Sequence, residues 1–166
     1  MSEQSKTEAS TIEADGSFSF MMGEFRAKFP GNRFYVSNHM WAAEKGRGDW
    51  LFGLTAYAVR LLQDIYFLDW VIDPPANLKS RQHLGSIESK KAESDLFAPC
   101  SGELITFNES LLDDPSLINA NPYEEGWMFS MNISGDSQLL KPAEYASHLV
   151  KAWDVAQKTI KGQANH

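Results

Sequence analysis

The 166-residue chain has a single cysteine, Cys100. One thiol excludes an internal disulfide and any CxxC metal or redox pair. Basic residues are also scarce: 15 Lys and Arg stand against 22 Asp and Glu, for a formal net charge of −7. A nucleic-acid binder needs a basic stripe to neutralise phosphates, so that class is set aside. Long apolar runs are missing as well. Residues 65–68 form one of the longest, and Asp69 ends it, so no segment is fit to span a bilayer. Residues 1–17 lack a basic stretch followed by an apolar one, which argues against a signal peptide and for the cytoplasm. The four histidines show no H-E-x-x-H or other metal spacing, and neither a G-x-S-x-G elbow nor a P-loop is present. No set of catalytic residues is visible, and no metal site is expected.

What the chain does have is 43% hydrophobic residues, enough for one domain with a real core. Residues 1–17 hold four acids and one bulky aliphatic residue and read as a disordered tail. Residues 18–32 form an apolar extension: Phe18, Phe20, Met21, Met22, Phe25 and Phe29 should pack on the body as a short helix or extended strap. The domain proper is placed at 33–160, with a disordered tail at 161–166.

Short strand signals dominate that domain. Residues 34–36, 41–43 and 50–54 are apolar runs with turn residues at 45–49. Thr55 is a candidate cap for a helix to Leu62. Residues 65–72 read as a buried strand ended by Asp73-Pro74-Pro75. Residues 84–87 and 96–98 flank a charged turn at 88–95. Another strand is expected at 103–107, then a short helical turn capped by Asn108. Residues 127–133 set Trp127, Phe129, Met131 and Ile133 against Met128, Ser130 and Asn132, a period-two strand. The C-terminus is helical, with Tyr145, Ala146, Leu149, Val150, Trp153, Ala156 and Ile160 on one stripe. The fold class is mainly β, with a short internal helix and a C-terminal helix.

The turn at 88–95 is the feature with chemical promise. Lys90 and Lys91 sit at the tip of an expected hairpin, bracketed by Glu88, Glu93 and Asp95. Taken alone this is a solvated charged turn. A lysine held out on a rigid turn is also how a prosthetic arm is presented, with the chemistry belonging to the cofactor.

The segment from Gly85 to Glu103, with Glu88-Ser89-Lys90-Lys91-Ala92-Glu93-Ser94-Asp95 at its centre, resembles the lipoylation segment of glycine cleavage H proteins, E-S-x-K-A-x-S-D followed by P-x-S-G-E. Three further stretches are similar to that family: Tyr35 to Trp41 to Y-x-x-S-H-E-W, Gly53 to Ala58 to G-I-T-x-x-A, and Asn119 to Trp127 to N-x-x-P-Y-x-x-G-W. The resemblance implies a lipoyl-domain barrel-sandwich hybrid and a covalent lipoate. It implies Lys91 as the attachment site, since the modified lysine precedes alanine, with Glu88, Ser89, Ala92 and Asp95 supporting the turn. Biotin carriers share the fold, but they flank their lysine with methionines, which are absent here.

The cargo cleft implied by the resemblance comprises Asn38, His39, Met40 and Asp95. Asp95 keeps the family's aspartate, whereas its serine is replaced by Asn38 and its glutamate by Met40. Losing a carboxylate beside a cationic adduct removes a contact worth about 1.5–3 kcal/mol. Gln63 also replaces a usual glycine. These departures suit a lipoyl carrier with another cargo, and the segment from Arg60 to Trp70 resembles the H-protein-like lipoate-binding branch of sulfur oxidisers that works with a heterodisulfide-reductase-like complex. The first reading is therefore a non-enzymatic carrier of sulfur intermediates on Lys91, modified by a lipoate ligase or lipoyl transferase. The alternative is an aminomethyl carrier serving glycine decarboxylase, aminomethyltransferase and dihydrolipoamide dehydrogenase. A third reading is an unmodified scaffold. No nucleic-acid or membrane partner is expected, and the chain should be a monomer. Cys100 should face the core.

Overall fold

The structure is a computed structural model that describes residues 10–135 and 138–164. A six-stranded antiparallel sheet forms the centre. Its strands are β4 (Phe34–Val36), β5 (Met40–Gly46), β6 (Asp49–Leu54), β12 (Phe129–Ile133), β11 (Gly102–Phe107) and β8 (Ala76–Leu78), in that spatial order. A second sheet has the order β10 (Glu93–Phe97), β9 (His83–Ser89), β7 (Ile65–Trp70). The two share one core: Phe52, Leu104, Phe129 and Met131 from the first pack with Ile65, Leu68, Leu84, Ile87 and Leu96 from the second.

A second core lies on the other side of β5. Strand periodicity explains it. Met40 and Ala42 turn into the first core while Trp41, between them, turns into the second, so β5 is covered on both faces. Gly53 lies opposite Trp41, and a Cβ there would come within 2.7 Å of the indole ring, which is why this strand position takes glycine. The second core is completed by β2 (Phe18–Met22) and β3 (Phe25–Phe29), together with helix α4 (Pro142–Ala164). Phe18, Phe20 and Phe29 meet Tyr35, Tyr57 and Tyr145 there; the Tyr35 and Tyr145 rings stack at 4.7 Å. Burying three phenylalanines contributes about 1.5–3 kcal/mol each, enough to fix the extension to the body.

The remaining elements are β1 (Ser10–Ile12), α1 (Ala56–Leu62) and the short helices α2 (Ser110–Asp113) and α3 (Leu117–Ala120). Thr55 caps α1 by accepting from the Ala58 amide. The Asn108 side chain accepts from the Ser110 amide ahead of α2.

The mainly-β architecture with an internal and a terminal helix is observed, but several local expectations are corrected. Residues 18–29 form a β-hairpin rather than a helix or strap, because Phe18, Phe20 and Met22 alternate inward. The tail expected at 1–17 is partly structured: β1 pairs with β2, and Glu13 to Ser17 form a hydrogen-bonded turn. Residues 1–9 lie outside the described residues. Strand β7 is a sheet edge with Tyr66 and Phe67 exposed, not a fully buried strand. Ser130 is buried together with Phe129 and Met131, so the period-two pattern does not divide the faces of β12 into wet and dry. Val150 is exposed on α4. That helix continues to Ala164, through part of the segment expected to be a disordered tail; the packing expected of Ile160 lies outside the described side chains.

Candidate functional site

The lysine turn is tighter than expected. β9 and β10 extend into the charged segment, with Glu88 paired to Glu93, so only Lys90, Lys91 and Ala92 form the tip. Lys91 and Lys90 are exposed. Ser89 is buried and closes the loop. Its hydroxyl donates to the Ala92 carbonyl at 2.9 Å and accepts from the Ala92 amide at 3.1 Å, and its amide donates to the same carbonyl. The Lys90 amide donates to the Asp64 carbonyl at 2.8 Å, tying the tip to the segment after α1.

Glu88 and Asp95, which the resemblance casts as supports of the turn, would act by satisfying backbone donors at this tip. They do not. Strand pairing occupies the donors of β9 and β10, the Ser89 hydroxyl takes the Ala92 amide and the Asp64 carbonyl takes the Lys90 amide; Asp95 Oδ1 lies instead 3.3 Å from His83 Nε2 on the neighbouring strand. The exposed Asp95–His83 pair holds the carboxylate toward β9 and adds little stability.

Asn38, His39, Met40 and Asp95 are brought together. They line one cavity of about 210 Å³ at the foot of the hairpin. Most of its wall is apolar: Met40, Leu54, Ala58, Leu61, Leu62, Ile87, Leu96 and Phe97 all contribute. Met40 is 2% exposed and belongs to the first core. Among the described residues Asp95 is the cavity's only carboxylate. The Asn38 side-chain amide donates to the Phe97 carbonyl at 3.4 Å. The α1 wall, Leu61 and Leu62, was not foreseen as part of the site. Its signal was the apolar end of the capped helix, which periodicity assigns equally well to a core.

His39 has φ 70°, a left-handed conformation, and its Nδ1 lies 2.9 Å from the Tyr145 hydroxyl, which is 2.9 Å from Thr55 Oγ1. Burial, and then the neighbouring His148, lower its pKa from 6.5 to about 4, so the ring is neutral at physiological pH. His148 Nε2 donates to the Ser37 carbonyl at 3.0 Å. Through this network α4 supports the loop that carries Asn38 and His39.

Cys100 is 5% exposed, and burial raises its thiol pKa to about 11. It sits in the first core, as expected, away from the lysine turn's cleft. Gln63 closes α1 with φ 61° and ψ −140°, and its carbonyl accepts from the Asn119 side chain at 2.6 Å. Among the described residues no cluster of three or more His, Cys, Asp or Glu is arranged to hold a metal, and no helix is long and apolar enough to cross a membrane.

Comparison with known proteins points the same way as the hairpin. The chain is 39% identical over 126 residues to a glycine cleavage system H protein from Methylacidiphilum infernorum, covering 74% of this chain and 95% of that protein. It is 39% identical over 105 residues to the glycine cleavage system H protein of Chromohalobacter salexigens, covering 63% and 79%. The crystal structure of a glycine cleavage system H protein from Mycobacterium marinum superposes with a TM-score of 0.64 at 32% identity, covering 72% of this chain and 97% of that one. The family model described as glycine cleavage H-protein matches residues 33–156, which takes in both sheets, the lysine hairpin and most of α4 but not β1 to β3, and so the chain belongs to the glycine cleavage H-protein family.

Proposed function

We propose that this chain is a lipoyl-lysine carrier with the arm attached to Lys91. The observation that carries the proposal is the tip itself: an exposed lysine at the centre of a three-residue turn, locked by Ser89 and by the Lys90–Asp64 bond, on the hairpin whose Ile87 and Ser94 to Phe97 line a cleft of about 210 Å³. These residues fit the group. The lysine is open to a lipoate ligase or lipoyl transferase, the backbone cannot collapse around it, and nothing in the turn competes for its amine. Bound lipoate supplies a dithiol that carries cargo between partner enzymes; the protein supplies display, a cleft and recognition, and catalysis belongs to the partners. Lys91 presents the amine, Ser89 and Asp64 hold the turn, Glu88 and Ala92 flank it, and Asn38, His39, Met40 and Asp95 line the space where cargo would shelter from water. The cytoplasm is the proposed compartment.

The names of the relatives support an aminomethyl cargo. On that reading the partners are glycine decarboxylase, aminomethyltransferase and dihydrolipoamide dehydrogenase. One observation favours a second reading. The cleft is walled by Met40, Leu61 and Leu62 and has, among the described residues, one carboxylate, Asp95, held toward His83, a poor environment for an ammonium. An uncharged or sulfur-centred cargo passed to a heterodisulfide-reductase-like complex suits those walls; this reading rests on the cleft alone, so the aminomethyl carrier stands first. Incubation of the lipoylated chain with glycine and glycine decarboxylase, read by intact mass, tests it. The aminomethyl increment is expected on the modified protein. A chain that is lipoylated but never charged gives way to the second reading, and a chain that no lipoyl-attaching enzyme modifies returns the protein to a scaffold.

A further inference from the structure

The segment outside the family match builds a surface of its own. β3 is the edge of the β1-β2-β3 sheet and lies beside α1. Between them runs a groove of about 570 Å³ lined by four consecutive β3 residues, Phe25, Arg26, Ala27 and Lys28, and by Arg60 of α1 and Tyr123 among others. A second depression of about 440 Å³ shares Arg26, Lys28 and Tyr123 and extends the trough along the strand.

Its charge is opposite to that of the molecule. The chain carries a net −7, yet Arg26, Lys28 and Arg60 all line the groove, against Asp64 there and Glu13 in the adjoining depression. None of the three cations is in an ion pair with a described residue. The Arg60 guanidinium lies over the Phe25 ring, 4.3 Å from its centroid, so it rests on an apolar platform with its donors still available. The backbone adds to this. In an antiparallel pair every second residue turns its N–H and C=O away from its neighbour. With Met22 paired to Phe25 across the two-residue turn, those residues on β3 are Arg26 and Lys28, and among the described residues β3 has no further strand beyond it.

We propose that this groove docks an extended acidic segment of a partner protein, laid along the open edge of β3 with its carboxylates on Arg26, Lys28 and Arg60. Strand addition supplies backbone hydrogen bonds, and the three cations select acid. A second copy of the chain is a poor occupant, since pairing two such edges brings like charges together. Asp64, whose carbonyl holds Lys90, lies in the groove, so a docked partner stands beside the lysine turn. The proposal does not depend on Lys91 being modified.

Fluorescence anisotropy on the full chain tests it, with a fluorescein-labelled peptide of alternating glutamate and leucine as probe. Saturable binding at low salt is expected. The Arg26→Glu, Arg60→Glu double variant should weaken it at least about tenfold, and raising salt to about 1 M, where screening acts within about 3 Å, should abolish it. Lys28→Glu, at an exposed position, should weaken it in the same direction even if the double variant misfolds. The same results on the Lys91→Arg protein keep this test separate from the carrier assignment. Absence of saturable binding, equal binding of a glutamine-for-glutamate probe, or unchanged affinity of the folded charge-reversed proteins overturns the proposal. So does a dimer in sedimentation velocity that Lys28→Glu abolishes, because the groove would then serve a second copy.

Discussion

The Lys90 amide and the Asp64 carbonyl are 2.8 Å apart, and through that bond the turn bearing Lys91 is fastened to the end of α1. Helix, cleft wall and lysine turn therefore form one unit. The neighbouring Ile65 amide donates to Asn119 Oδ1 at 2.9 Å, while Asn119 also holds the Gln63 carbonyl, so both sides of Asp64 are braced.

Lys91, not Lys90, is the expected lipoate acceptor. Co-expression with a lipoyl-attaching enzyme should modify the Lys90→Arg protein and leave Lys91→Arg unmodified by intact mass. Lipoyl recovered on Lys91→Arg would move the site.

Ser89→Ala removes the hydroxyl that both donates to and accepts from Ala92. We expect a loss of about 1 kcal/mol in stability and slower lipoylation, because the tip is no longer held in one shape. Glu88 makes no such bond, so Glu88→Gln should leave the melting temperature nearly unchanged; slowed modification there would mean that the attaching enzyme reads its charge.

Gln63 adopts a backbone conformation that glycine tolerates without strain. Such strain costs about 1–3 kcal/mol, and glycine returns about 0.5–1 of it through unfolded-chain entropy. Gln63→Gly should therefore stabilise the protein by about 1 kcal/mol, a rise of about 2–4 °C in melting temperature. A fall would mean that the Gln63 side chain contributes more than its backbone costs.

His39 gives stability a pH dependence. Its pKa in the folded chain is about 4, below the ordinary 6.5, so the unfolded chain binds the proton more tightly. The contribution is complete above pH 6.5 and is lost as pH falls toward 4, by about 3 kcal/mol in all. Asparagine tolerates positive φ, so His39→Asn should fold and flatten denaturant-midpoint profiles over that window. An unaltered profile would show that other groups cause the acid loss.

Cys100 should behave as a core residue. Cys100→Val should preserve fold, lipoylation and turnover, and the native thiol should resist alkylation at pH 8, since burial keeps it protonated. A folded, lipoylated Cys100→Val protein that no longer turns over would make the thiol a partner of the arm.

Local chemistry alone determined a good deal of this protein. The Thr55 cap, the strands on either side of Lys91 and the apolar stripe of α4 follow from short-range preferences and from periodicity, which a linear chain displays. The lysine motif identifies itself by residue order. Only the tertiary structure decided the rest. Phe18, Phe20 and Phe29 are apolar in any conformation; pairing with each other's strands and packing on Tyr35 and Tyr145 made them a hairpin. Asn38 and Met40, Leu61, and Asp95 come from three separate stretches of the chain and form a single cleft because the start of β5, α1 and β10 converge. Ser89, rather than Glu88 or Asp95, holds the tip because strand pairing continues to Ser89 and brings its hydroxyl and its amide within reach of Ala92. Arg26, Lys28 and Arg60 become a basic groove in an acidic protein only when β3 docks beside α1. Side-chain chemistry is written residue by residue, but which side chains share a volume is fixed by long-range packing, and both the cleft and the groove are such volumes.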